Sequence, residues 1–219
     1  MKKQLIVGLI LTILIGGIVF WFQKDHQDQL FTAMKVPEFE LTNQENKIIY
    51  QKDLEGKVYL VEFFFANCPT ICPVMNRNLI QISEEINSPD LAIISITIDP
   101  KRDTPENLKA HASYLGIQNP NWHFLTGDRD YIFELSKKFN LYVGEDESSA
   151  EGLNHSGKFA LIDKNGNIRS RFDKNGMPIL YYSGLNYTDA EGKKMDLKGK
   201  FHPQVEWLKE DILKLLNEN

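Results

Sequence analysis

Residues 58–75 read VYLVEFFFANCPTICPVM, an apolar run that stops abruptly at a cysteine. The part over 58–65 is rich in aromatic and β-branched residues and is too short for a helix core. It lies between Gly56 and an Asn-Cys-Pro turn signal at 67–69, as expected for a strand that is buried on both faces. The pattern therefore predicts a central strand of a parallel or mixed sheet.

A helix is predicted directly after this strand. Pro73 suits the first turn of a helix, and apolar residues recur at helical spacing over residues 75–86. Cys68 and Cys72, the two cysteines of the sequence, consequently lie in the turn between the strand and the helix. Open α/β sheets place their ligands at this end of their central strands.

Two thiols beside a helix N-terminus are suited to reaction and to metal binding. The partial positive charge and the unpaired N–H groups there lower the pKa of a thiol, and the thiolate is the form that attacks disulfides and binds metals. Cys68 and Cys72 are four positions apart, so they can close a disulfide or hold a soft ion such as Cu(I). A plain stabilising disulfide, or two unreactive buried thiols, is the alternative, although closing so short a loop removes little unfolded-state entropy.

The charge and the length of the chain limit its class. The 219 residues carry 25 basic and 30 acidic side chains, which gives a formal net charge of -5 at pH 7. Acids and bases are interleaved along most of the chain, so no nucleic-acid-binding surface is expected. The length is sufficient for one domain with a buried core and an N-terminal anchor.

The N-terminal residues predict a membrane anchor over 1–23. Lys2 and Lys3 precede an uncharged apolar run over 5–22, which is about long enough to cross the hydrocarbon core of a bilayer. The lysines would keep the N-terminus inside, so that the remainder of the chain is exported. A cleaved signal peptide is the alternative, but no Ala-x-Ala-like site follows the run. In either case two thiols would tend to oxidise in the receiving compartment.

The rest of the sequence predicts a polar tether over 24–35 and one domain over 36–219. The predicted elements are, in chain order, a strand at 36–41, a strand at 47–50, the cysteine strand and helix, a buried strand at 91–98, a helix from Thr104 to about 115, a short strand at 122–125, a helix over 128–139, a hairpin with an Asn-Gly turn over 158–172, and a terminal helix within 201–219. Residues 173–200 are polar and weakly patterned, which indicates a surface excursion. This order predicts an α/β fold with a thioredoxin-like layout, a central mixed sheet flanked by helices.

His155 is the histidine whose predicted position points to the cysteines. It precedes the first strand of the hairpin, and in a thioredoxin-like sheet that strand runs antiparallel to the cysteine strand. Its beginning would therefore lie beside Cys68 and Cys72, with an exposed loop histidine as the alternative. The other histidines have simpler interpretations, namely a tether position for His26, a helix surface for His111, core packing for His123 and a helix start for His202.

Four further features are weaker candidates. Asp99 is expected to accept hydrogen bonds at a helix start rather than to shape a docking surface. The acidic residues 145–147 are expected to form a solvated loop. Met75 and Met177 carry sulfur that can bind soft metals, but Met75 is expected in the core.

Three separated motifs resemble those of the SCO/SenC proteins. The sequence CPTICP at 68–73 resembles their Cys-Pro-x-x-Cys-Pro signature, and SITIDPKRDTP at 95–105 resembles their second signature. The sequence NHS at 154–156, followed by a strand and an Asp-x-x-Gly turn, resembles their distal histidine segment. The likeness covers roughly residues 36–172, and it is specific because three motifs agree in order and context.

The resemblance implies a thioredoxin-like fold that binds one copper ion per monomer, as Cu(I) or Cu(II), through Cys68, Cys72 and His155. It also implies a role in assembling the dinuclear copper centre of cytochrome c oxidase subunit II, by copper delivery, by reduction of the subunit's cysteines, or by both. Another copper chaperone would act as the donor. Many members have aspartate where this chain has Thr70 and Asn154, a departure that concerns metal affinity and redox poise but leaves the ligand set intact.

Two other classes of function stay open at this point. In a membrane-anchored thiol-disulfide oxidoreductase, or a peroxidase-like redox protein, Cys68 and Cys72 would be the catalytic redox pair. General oxidoreductases more often carry a Cys-x-x-Cys motif. A structural module with an incidental disulfide would explain neither the proline after each cysteine nor the distal histidine. Because an arginine-rich transit sequence is absent, the expected location is the inner (cytoplasmic) membrane, with the C-terminal domain in the periplasm.

Overall fold

The computed structural model describes residues 14–17, 29–145, 153–173, 176–185 and 204–218. The predicted membrane anchor lies outside these ranges except for residues 14–17, which are helical. Within the described ranges, no helix combines the length and the apolar character that a bilayer crossing requires.

Strands alternate with helices in the middle of the described part of the chain, and successive strands precede and follow that part. The strands are β1 Phe31–Lys35, β2 Glu40–Asn43, β3 Ile48–Tyr50, β4 Val58–Phe64, β5 Leu91–Thr97, β6 Trp122–Thr126, β7 Val143–Glu145, β8 Leu153–His155, β9 Lys158–Ile162, β10 Asn167–Ser170 and β11 Tyr182–Ser183. The α-helices are α1 Cys72–Ile86, α2 Pro105–Tyr114, α3 Arg129–Lys138 and α4 Gln204–Asn217, and a 3-10 helix spans Gln51–Leu54.

A mixed sheet forms the centre of the domain, with the strand order β1-β10-β9-β4-β5-β6-β2-β3. β4, β5 and β6 are parallel, whereas β9 runs antiparallel to β4 and β10 antiparallel to β9. β11 also pairs with β9, and β7 and β8 form a separate antiparallel hairpin. The topology agrees with the predicted α/β, thioredoxin-like layout.

The core is built on β4 and β5. All seven residues of each strand are buried, which explains their near-continuous apolar sequences. In α1 the buried side chains include Met75, Leu79 and Ile82, which recur at the spacing of one helix face. Thr104 caps α2 by accepting the backbone N–H of Asn107, as its position before a proline predicts.

The sheet begins earlier in the chain than the sequence predicts. The sequence predicts a polar tether at residues 31–35, but they form β1 and pair with β10. The strand expected at 36–41 is displaced to β2, Glu40–Asn43. β1 is an edge strand whose hydrogen-bond partner lies more than a hundred residues away, so the sequence around it carries little signal for pairing.

Residues 173–200 are not wholly a surface excursion. Tyr181 and Tyr182 are buried, and the second of them belongs to β11. The Tyr182 hydroxyl donates to Asp211 of α4 at 2.6 Å. Two aromatic side chains in a polar stretch thus bring this segment onto the sheet and under the terminal helix. Residues 186–200 lie outside the described ranges.

Candidate metal centre

Cys68 and Cys72 are held by the turn between β4 and α1. β4 ends at Phe64, and α1 begins at Cys72 with Pro73 in its first turn. The backbone N–H of Cys72 donates to Cys68 Sγ at 3.5 Å, so the first thiol accepts one of the unpaired amides at the helix start. Both cysteines are free thiols, and both are buried.

His155 reaches the same turn from the second half of the chain. It is the last residue of β8 and lies just before β9, which runs antiparallel to β4. Its Nε2 lies 3.1 Å from Cys72 Sγ, and its ring makes an edge contact with Phe65 at a centroid distance of 6.0 Å. Among the described residues, its Nδ1 has no hydrogen-bond partner. The topology therefore places the imidazole where the antiparallel argument predicts it.

The three side chains converge on one point. Their Sγ, Sγ and imidazole nitrogen atoms all lie within 4.8 Å of one another. The exposed fraction is 7% for Cys68, 2% for Cys72 and 5% for His155. Metal–thiolate bonds of about 2.3 Å allow two sulfurs on one ion to be up to about 4.6 Å apart. Since about 4.6 Å is the limit for a linear arrangement and a third ligand requires the sulfurs to lie closer, the donor set fits a single soft metal ion once the side chains draw together around it.

The two thiols differ in acidity because they share one hydrogen bond. That bond with Cys72 lowers the pKa of the Cys68 thiol far below its ordinary value, and burial opposes the effect only partly. The same bond, together with burial, raises the pKa of Cys72. Cys68 is therefore the first of the pair to become a thiolate, and Cys72 holds the shared proton.

The second sequence motif, residues 95–105, stabilises the backbone that leads into the cysteine turn. Asp103 is buried, and its carboxylate accepts the backbone N–H of Ala66 and the hydroxyl of Thr97. Ala66 lies two residues before Cys68, so this carboxylate fixes the backbone that leads into the turn. Asp99 accepts hydrogen bonds from the following turn through its backbone carbonyl, which takes the N–H groups of Arg102 and Asp103, and its carboxylate lies 3.5 Å from the Arg102 guanidinium.

Thr70, one of the two departures from the family pattern, lies at the site itself. Its hydroxyl is 3.6 Å from Cys68 Sγ, within the range of a weak hydrogen bond to sulfur. Asn154, the other departure, is exposed on β8. A neutral hydroxyl therefore stands beside the more acidic thiol, at the position where a carboxylate would repel a thiolate.

Glu62 is a buried acid in β4 that the sequence analysis did not single out. One of its carboxylate oxygens accepts the hydroxyl of Ser95 at 2.7 Å, and the indole N–H of Trp122 donates to the same hydroxyl at 3.0 Å. The other oxygen has no partner among the described residues. Burial raises the pKa of Glu62 to about 8, although the Ser95 hydrogen bond opposes the shift. The sequence carries a signal for this buried acid, because Glu62 is the single charged residue in a seven-residue strand that is otherwise apolar.

We expect Glu62→Gln to make stability less dependent on pH. With a folded-state pKa near 8, Glu62 keeps its proton in the native state where the unfolded chain has already released it. The free energy of unfolding should therefore fall as pH rises from about 4.5 to 8, by up to about 1.4 kcal/mol per pH unit from this group. Urea unfolding at pH 5 and pH 8 measures the slope, which should be smaller in the variant. An equal slope in both proteins would contradict this prediction.

Among the described residues, the other predicted candidates do not join the centre. Met75 is buried in the core as expected, and Met177 is exposed. His111, predicted on a helix surface, instead packs against Phe64 and Phe124, because its helix lies against the sheet. Burial lowers the pKa of both His111 and the half-buried His123. The remaining candidates His26, His202 and residues 146–147 lie outside the described residues.

This arrangement defines a thioredoxin-like protein in which a cysteine pair opens a helix at the end of a central strand and a distant histidine closes the site. A family model described as SCO1/SenC matches residues 27–186. The chain belongs to the SCO1/SenC family.

Individual relatives agree with this assignment. The chain is 33% identical over 155 residues to the SCO1 protein homolog of Bacillus subtilis, an alignment that covers 69% of this chain and 79% of the relative. The solved structure of BsSco, a member of the Sco family of cytochrome c oxidase assembly proteins with a disulfide switch, matches with a TM-score of 0.64 at 25% identity and covers 87% and 98% of the two chains. The solved structure of yeast Sco1 with copper bound matches with a TM-score of 0.53 at 25% identity, and the match covers 76% of this chain and 97% of the yeast chain.

Proposed function

We propose that the protein binds one copper ion through Cys68, Cys72 and His155 and passes it to cytochrome c oxidase during assembly of that enzyme. The observation that carries this proposal is the convergence of two thiols and one imidazole within 4.8 Å in a buried turn. Two thiolates are soft ligands that favour Cu(I), and an imidazole suits copper in either oxidation state.

The site also suits transfer of its cargo to another protein. A cleft of about 850 Å³ opens beside the cysteines and is lined on its far side by residues of α2, including Asn107 and Tyr114. Three protein ligands leave room for a partner's thiol to join the ion before any of them leaves. Copper could therefore pass between proteins by stepwise ligand exchange without release into water.

Support for the partner comes from the relatives. BsSco is described as a cytochrome c oxidase assembly protein, and yeast Sco1 has been solved with copper bound. We extend these properties to this family member and take the dinuclear copper centre of subunit II as the destination, with a separate copper chaperone as the donor. The apolar run over 5–22 supports a single membrane anchor with the domain on the periplasmic side.

X-ray absorption on the reduced, copper-loaded protein tests the ligand set directly. We expect one copper per chain with two sulfur neighbours and one nitrogen neighbour. In His155→Ala the nitrogen neighbour should disappear and the affinity for Cu(I) should fall by about a hundredfold, or about 2.7 kcal/mol, because two thiolates can still hold the ion. Circular dichroism should be unchanged. A spectrum of the variant that still shows the protein nitrogen would exclude His155 as a ligand.

Thiol-disulfide exchange is a second candidate, favoured by the unequal acidity of the two thiols. The Cys68 thiolate would attack a disulfide of the partner and release one partner sulfur as a thiolate. Cys72 would then displace the other partner sulfur and give up its proton to a partner thiolate. The products are a Cys68–Cys72 disulfide and a reduced partner dithiol. Stoichiometric reduction of an oxidised subunit II domain by the copper-free protein, abolished in Cys68→Ser, would establish this activity.

A further inference from the structure

Four apolar side chains, one half-buried and three exposed, lie near one edge of the sheet, and we call them the edge patch. It consists of Phe31, Phe172, Met177 and Leu180. The rings of Phe31 and Phe172 contact each other with a centroid distance of 4.8 Å, while Met177 is 64% exposed. Phe172 and Leu180 are each exposed by more than a third. Exposed apolar side chains near one another are a feature of surfaces that bind a protein or a membrane.

The backbone holds the edge patch in place. Asp173 accepts the backbone N–H of Met177 through its carboxylate at 2.9 Å, and its own N–H donates to the Met177 carbonyl at 2.7 Å. Leu180 has a φ of 61°, a left-handed conformation that leucine rarely adopts. The N–H of Tyr181 donates to the carbonyl of Ile179 across it at 2.8 Å, and the buried Tyr181 ring fixes this tight turn. The segment is therefore built to keep Leu180 on the outside.

The edge patch faces the same end of the sheet as the metal centre. β9 is antiparallel to β4, so its start lies at the cysteine end, and β10 runs back toward that end. Phe31 pairs with Ser170, the last residue of β10, so the start of β1 lies at the cysteine end as well. β1 is three strands from β4, or about 14 Å at the usual spacing of about 4.8 Å.

The proposed membrane anchor ends close to this patch in the sequence. Six residues, 23–28, separate the apolar run over 5–22 from the first described residues of the domain. Six residues can span at most about 20 Å, whereas a domain of this size is about 40 Å across. The end of the domain where β1 starts must therefore lie near the bilayer.

From this placement we propose that the edge patch rests on the lipid surface and turns the cysteine end of the sheet toward the membrane. The proposal rests on the membrane anchoring in the proposed function. A patch of four apolar side chains gives shallow, reversible contact, which the anchor makes effective by keeping the local concentration of lipid high. Copper would then be held a short distance above the bilayer, where the exposed domain of a membrane-embedded partner can reach it.

Photo-crosslinking of the full chain in phosphatidylcholine vesicles tests the proposal. A small fraction of the lipid carries a photoreactive group near its headgroup, and mass spectrometry maps the lipid adducts. We expect adducts on peptides containing Phe31 and residues 171–185. The double variant Met177→Ser, Leu180→Asn should reduce the adducts on residues 171–185 by about tenfold, because it removes two of the three exposed apolar side chains of the edge patch. Asparagine is chosen at 180 because it tolerates a positive φ.

Ile48→Ser is the matched control, since Ile48 is an exposed apolar residue on β3 at the opposite edge of the sheet. It should leave the adducts on 171–185 unchanged. Adducts confined to residues 1–28, or adducts spread equally over β3, would overturn the proposal. So would cross-links from the patch to a second copy of the chain in place of lipid. The experiment uses no copper, so its failure is distinct from a failure of the copper-binding function.

Discussion

Cys72→Ser is expected to lower the affinity for Cu(I) by on the order of a thousandfold or more, which corresponds to about 4 kcal/mol. A serine hydroxyl is a hard donor that stays protonated near neutral pH, so the ion loses a thiolate and its charge. Serine is close to cysteine in size and suits a helix start, so α1 should keep its first turn. Competition for Cu(I) against a chromophoric chelator under anaerobic conditions measures the loss.

Met75→Leu is the control for this substitution. Met75 also carries sulfur near the start of α1, but it is buried in the core, and leucine keeps its volume. Its affinity for Cu(I) should stay within about threefold of the unaltered protein, a difference below 1 kcal/mol. If Cys72→Ser behaved like Met75→Leu, the two-thiolate site would be wrong.

Asp211→Ala is expected to destabilise the fold strongly, by about 3–5 kcal/mol. Asp211 of α4 is fully buried, and its two oxygens accept Nε and Nη2 of Arg171 at 2.6 Å each. It also accepts the hydroxyl of Tyr182. Removing the carboxylate leaves a largely buried guanidinium without its main partner and releases α4 from β11 and from the residue that follows β10. Urea unfolding at pH 7 measures the effect.

Glu210→Ala separates this buried network from ordinary surface charge. Glu210 pairs with the same arginine at 2.9 Å, but its side chain is 60% exposed. Exposed ion pairs contribute at most about 1 kcal/mol, so Glu210→Ala should shift the unfolding midpoint only slightly. Equal losses in Asp211→Ala and Glu210→Ala would show that burial of the pair is not what stabilises α4.

The parts of the fold that the sequence predicted well are those in which local pattern and tertiary environment agree. β4 and β5 are buried on every residue, so their composition alone marks them as central strands. The start of α2 at Thr104 and Pro105 is a matter of local hydrogen bonding and backbone angle. The cysteine turn follows directly from the strand before it and the helix after it.

The predictions that the structure corrects concern residues whose pairing or burial is set by partners distant in the sequence. β1 pairs with a strand that follows it by more than a hundred residues, and its polar edge sequence resembles a linker. Tyr181 and Tyr182 are buried inside a segment whose average composition is polar. His111 is enclosed by two aromatic rings from the sheet, which no spacing within its own helix could reveal.

Neighbouring residues encode the strand, the turn and the helix start, so the position of two thiols at the end of a buried strand follows from the sequence alone. The distance of 3.1 Å between the His155 imidazole and one of those thiols depends on long-range pairing, since the antiparallel placement of β9 beside β4 brings them together. The location of the edge patch and the cysteines at the same end of the sheet depends on such pairing as well. Strand order and direction set both relations, and these depend on long-range pairing that no single stretch of sequence contains.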